Sequence, residues 1–205
     1  MNLKKAHYFS GLAITVFVAL HLFNHSTGIL GAEQHIEVMS RLRPYYRNPI
    51  AETVLLAAIA IQIYSGLKLF AARRKTVRSG FEKLHIYSGL YLALFFIIHL
   101  GAVFAGRLLL RLDTNFYFGV AGLNTFPLNI FFIPYYGLAI VAFFGHIAAI
   151  HNERMKRTVL FLHPRKQSAL ILLLGICFTL FLLYALTNRL QGYPLPAEYQ
   201  ILTGK

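Results

Sequence analysis

The chain carries one cysteine, Cys177, in 205 residues. It can form no internal disulfide and hold no iron–sulfur cluster, since such clusters need several protein ligands. It lies in an apolar run and is read as packing. Acidic residues are scarce as well: Asp and Glu number 7, against 20 Lys and Arg. The apolar stretches hold very few of them, which argues against a proton-coupled transporter, because such proteins work through intramembrane ionisable groups. No nucleic-acid-binding motif accompanies the net charge of +13. The basicity is therefore assigned to loops beside membrane spans, where topology places it.

What is present is apolar. The chain is 57% hydrophobic, with a mean hydropathy of +0.58. Apolar runs of about 20 residues recur, the length that crosses a bilayer as a helix. The expected fold is an all-α membrane protein, one transmembrane domain over residues 1–205. Its five spans cover about 6–30, 50–72, 81–107, 128–151 and 167–187. Met1 to Lys5 and the run behind it resemble a signal peptide, but that run is too long for a signal core and is read as a retained span. The connector from Gly31 to Asn48 is polar, punctuated by Pro44 and Pro49, with room for a short helix on the membrane surface. The tail with Pro194 and Pro196 is expected to be irregular.

Orientation follows from Lys and Arg. With the N-terminus cytoplasmic, thirteen fall inside: Lys4, Lys5, Lys68, Arg73, Arg74, Lys75, Arg78, Lys83, Arg154, Lys156, Arg157, Arg165 and Lys166. Seven fall outside: Arg41, Arg43, Arg47, Arg107, Arg111, Arg189 and Lys205. The expectation is N-in and C-out, in a bacterial inner membrane.

Histidines supply the functional signal. His85 and His99 lie 14 residues apart in KLHIYSGLYLALFFIIHL, and His7 and His21 repeat that spacing in KAHYFSGLAITVFVALHL. Fourteen steps bring two residues within about 40° on a helix and separate them by roughly 21 Å along it. A shift of 78 superposes Lys5/Lys83, His7/His85, Ser10/Ser88, Gly11/Gly89, Leu12/Leu90, Phe17/Phe95, His21/His99 and Leu22/Leu100. Gly66 and Gly145 are a faint echo between the second and fourth spans. The pattern reads as a parallel duplication of a helix pair about an axis along the membrane normal, with the fifth span added. Imidazole in hydrocarbon is costly unless it ligates or hydrogen-bonds. Four in register suggest two bis-histidine haem b sites stacked across the bilayer, His21 with His99 outside and His7 with His85 inside. Gly11 and Gly89 would give a macrocycle clearance.

Alternatives stand beside this. His7 and His85 also fit interfacial or capping roles. His25 could replace His21, although an outer-interface position suits it better. His146, beside Gly145, rivals His7 as partner of His85. His35, His151 and His163 fall in or near loops and read as solvated. A zinc site on His21 and His25 lacks an acidic or thiol partner. HLFNH has the HxxxH form of membrane di-iron desaturases, but no HxxHH follows.

The ligand spacing resembles that of cytochrome b in quinol-oxidising bc complexes, over the first and third spans only. The overall plan looks closer to the single-chain, five-helix cytochrome b anchor of succinate dehydrogenase and fumarate reductase. The shared features are chain length, five spans, the AHYFSGLAI opening, LHLFNH and FIIHL. That resemblance implies one or two haems, a membrane quinone, and cytoplasmic flavoprotein and iron–sulfur subunits facing the basic loops. It implies electron relay to or from quinone by a subunit, not a complete enzyme. Where the family places a ligand on its second helix this chain has Gln62, so either His85 or His7 takes over or one haem is absent. Tyr8, Tyr87, Tyr135 and Tyr136 are candidate donors to quinone carbonyls, and Arg41, Arg43 and Arg47 candidate partners of haem propionates. The alternative is a haem-free membrane anchor or assembly subunit, or a small transporter, whose histidines pair with polar neighbours.

Overall fold

The computed structural model describes residues 2–204; Met1 and Lys205, the latter among the cations expected outside, lie beyond them. Seven α-helices form among the described residues: α1 (Leu3–Ser26), α2 (Ala32–Tyr46), α3 (Pro49–Arg73), α4 (Gly80–Phe104), α5 (Phe116–Val120), α6 (Asn129–Arg154) and α7 (Pro164–Leu186). Among the described residues five segments are long and apolar enough to cross a membrane, and α1, α3, α4, α6 and α7 are their bodies. A 3-10 turn extends α1 to Leu30, and a π turn, Ala105–Leu109, extends α4.

Local chemistry sets the helix starts. Asn48 accepts from the Ala51 N–H and Pro49 follows at the first helical position of α3. Ser79 and Glu82 form a capping box at α4. Pro164 opens α7. Gly31, at φ +112°, separates the end of the first span from α2, a backbone conformation that side chains resist.

The spans pack in chain order: α1 on α3, α3 on α4, α4 on α6, α6 on α7, with α7 returning to the end of α1. Hence α1 and α4 lie diagonally and meet through side chains. The sequence repeat is matched by similar contacts. Ser10 donates to Gln62 Oε1 at 2.7 Å, and a Cβ on Gly11 would sit 3.3 Å from the Gln62 amide nitrogen. Ser88 lies 3.2 Å from His146 Nδ1, and a Cβ on Gly89 would sit 3.1 Å from that ring. Each Ser-Gly step is a socket for one side chain of the next span, an amide in the first pair and an imidazole in the second.

The end opposite the N-terminus is capped by protein. The polar connector forms α2, as its composition allowed. Phe116, Val120, Leu123, Ala32 and Leu186 make a buried cluster there. The tail is not irregular throughout: a 3-10 segment, Ala197–Thr203, buries Tyr199, whose hydroxyl donates to the Asp113 carbonyl at 3.0 Å. Arg43 and Arg47 converge on Asp113 at 2.9 and 3.8 Å, Arg41 pairs with Glu37, and Arg107 with Glu52. Asn188, Arg189 and Leu190 all have positive φ, and the backbone turns there under Thr187 and Asn188 side-chain hydrogen bonds. Cys177 is exposed on the outside of α7, not packed within.

At the N-terminal end, α6 and α7 are joined by residues 155–163. Val159 and Leu162 exchange both backbone hydrogen bonds, at 3.2 and 2.9 Å, around Leu160 and Phe161. Both turn residues have positive φ, +48° and +62°.

Candidate haem-binding sites

Near the capped end, the His21 ring from α1 and the His99 ring from α4 have centroids 6.3 Å apart at 69°. A metal held between two imidazoles at about 2 Å from each sets ring centres about 6 Å apart. Each ring is braced alike: Phe17 stacks on His21 at 5.6 Å and 19°, and Phe95 stacks on His99 at 5.0 Å and 13°. These are the i, i+4 neighbours that the repeat carries, so duplicated sequence produces duplicated geometry. Tyr136 meets the edge of His99 at 6.2 Å.

Two further histidines join this cluster. His25 Nε2 is 3.0 Å from His21 Nε2, and His25 Nδ1 is 3.1 Å from His35 Nε2. His35 is 2% exposed, against Phe116 and beside Asn24. It is therefore not the solvated loop residue that its polar surroundings suggest. Packing of α2 against α1 carries it inward. Burial, then repulsion from His21, holds its imidazole down at about 4. His35 Nδ1 and Asn24 Oδ1 are buried without a protein partner. No α-helical periodicity links His35 to His25, since Gly31 breaks the helix between them.

Toward the N-terminal end, a cavity of about 900 Å³ opens among α1, α3, α4 and α6, lined by His7, Gln62, His85 and His146 with Gly11, Gly66 and Gly89. That size lies within the range of about 300–1,000 Å³ usual for cofactor pockets. His146 Nδ1 is 3.1 Å from the His85 carbonyl. A carbonyl only accepts, so Nδ1 carries the proton and Nε2 keeps the lone pair a metal needs. His7 Nδ1 is 2.8 Å from Ser65 Oγ, whose own proton goes to the Ile61 carbonyl. His7 Nδ1 thus donates, and its Nε2 accepts from the Gln62 amide at 3.2 Å. Gly66 faces the His7 ring as Gly89 faces His146.

His85 stands differently. Its Nδ1 is 3.3 Å from Glu153, which also approaches Arg73 at 3.8 Å. Its ring lies 4.7 Å from His146, closer than two ligands of one iron would stand. The geometry thus brings His7, His85 and His146 to one cavity, with His7 and His146 the two rings set by a serine. His151 is half-buried and bonded to Ser168 at 3.0 Å, and not simply solvated; His163 is exposed. Arg41, Arg43 and Arg47 already face carboxylates.

Among the described residues no group of three or more His, Cys, Asp or Glu side chains is arranged to hold a metal ion. A haem takes two axial ligands and supplies the rest from its macrocycle, so paired imidazoles are the relevant donor set. The chain matches no protein-family model, no curated protein and no solved structure.

Proposed function

We propose that this chain is a membrane b-type cytochrome with two haems, relaying electrons to or from membrane quinone as the anchor subunit of a respiratory oxidoreductase such as succinate dehydrogenase or fumarate reductase. The carrying observation is the His21–His99 pair, 6.3 Å apart and braced by matching Phe17 and Phe95 stacks. Haem, when bound, supplies one-electron redox chemistry. His21 and His99 would hold the outer site, and the phenylalanines fix their ring planes. His7 and His146 would hold the inner site, His7 through the Nε2 that now accepts from Gln62. Ser65 and the His85 carbonyl hold the Nδ1 protons of His7 and His146, so both present Nε2. Arg74, Lys75 and Arg78, in the link between α3 and α4, would meet the cytoplasmic flavoprotein and iron–sulfur partners.

One observation favours a haem-free anchor, assembly subunit or transporter: His21, His25 and His35 satisfy one another by hydrogen bonds. A reduced-minus-oxidised absorption spectrum of protein expressed with ample haem separates the readings. The cytochrome reading requires b-type bands, with half the pigment lost in His99→Ala and half in His146→Ala. A wild-type protein without those bands is the haem-free one.

A further inference from the structure

The loop between α6 and α7 has no part in the haem reading. Its two-residue turn has both residues left-handed, a geometry that asparagine and glycine fill with least strain. Here Leu160 and Phe161 occupy it, bulky residues that disfavour positive φ. Gln167 on α7 pins the base, donating to the Arg157 and Leu162 carbonyls at 3.0 and 2.7 Å. The side chains at the tip are bare: Leu160 is 84% and Phe161 98% exposed. Backbone strain held at such a point is a mark of function.

Exposed Lys156, Arg157, Arg165 and Lys166 flank the tip, and none of the four is in an ion pair among the described residues. Glu153, in the last turn of α6 and the nearest carboxylate in sequence, is engaged by His85 and Arg73. We propose that this hairpin is a wedge that reads anionic lipid: Leu160 and Phe161 enter the boundary between headgroups and acyl chains, and the four cations hold lipid phosphates. An apolar edge beside a cationic rim is the pattern of interfacial anchors. A soluble acidic protein would offer the same charge. The leaflet is favoured because the loop, nine residues between two spans, is tethered beside it.

The chain has no tryptophan, so Phe161→Trp supplies a sole reporter in the full-length protein. Nanodiscs of phosphatidylcholine alone are compared with an equal mixture of phosphatidylcholine and phosphatidylglycerol, each with and without bromine on the acyl chains. Leu173→Trp on the exposed face of α7 is the lipid-facing reference, and Leu160→Trp repeats the test should Phe161→Trp fold poorly. In phosphatidylglycerol discs the hairpin tryptophan emits to the blue and is quenched by bromolipid within about twofold of the reference. Replacing all four cations by Gln lowers that quenching at least about twofold. Water-like emission, quenched by iodide and not by bromolipid, overturns the proposal and points to a soluble acidic partner. Quenching indifferent to phosphatidylglycerol and to the four Gln substitutions overturns the headgroup recognition.

Discussion

At the residue scale, the inner site turns on tenths of an ångström. A Cβ at Gly89 would stand 3.1 Å from His146, one at Gly66 3.4 Å from His7. The first crowds a ring tethered at Nδ1, and the second is ordinary contact. Gly89→Ala is expected to lower inner haem content several-fold, and Gly66→Ala to leave it near wild type, read as pigment per protein. His35 carries a pH prediction. Its imidazole titrates near 4 when folded and near its ordinary 6.5 when unfolded, so the unfolded chain binds the extra proton between those values. Stability is full above about 6.5 and falls as pH drops toward 4. Melting of the wild type should therefore fall more between pH 7 and pH 5 than that of His35→Gln. The spacing of His7, His21, His85 and His99 was legible because one helix carries each pair. His35 was not, since its place depends on how α2 folds back. Nor was the way Gln62 is held between Ser10 and His7, which requires the contact between α1 and α3.

At the scale of elements, hydropathy marked all five spans within a few residues, because lipid demands length and apolarity from each helix separately. It could not mark the π turn after α4 or the 3-10 segment in the tail, which depend on neighbours. The π turn places Arg107 against Glu52 of α3, with both side chains mostly buried. Losing a charged hydrogen-bonded partner costs roughly 1.5–3 kcal/mol. Arg107→Ala should destabilise by about that amount, measured by thermal melting in detergent, and Glu52→Gln by less. The cap also changes the reading of the outer arginines: Arg43 and Arg47 tie α2 to Asp113, so their removal is expected to loosen the cap before it touches any haem.

At the scale of the whole molecule, the excess of Lys and Arg at the end of the bundle that holds the N-terminus predicts that this end stays in the cytoplasm. Alkaline phosphatase fused after Gly204 should be active, and fused after Arg157 inactive; the reverse pattern would invert the molecule and move the basic face away from the cytoplasm. The two Ser-Gly sockets have a consequence in evolutionary terms. If the helix pairs descend from one ancestral hairpin, then Gln62 and His146 fill the same socket without sharing a repeat position, for the shift of 78 that superposes His7 on His85 carries Gln62 to Ile140. Gln62→His would make the two sockets alike in a single step, setting an imidazole beside Ser10 and Gly11 as His146 sits beside Ser88 and Gly89. His7 would then have a competitor. A chain that tolerates removal of His7 only after that substitution would show that the first socket can present an imidazole in place of His7.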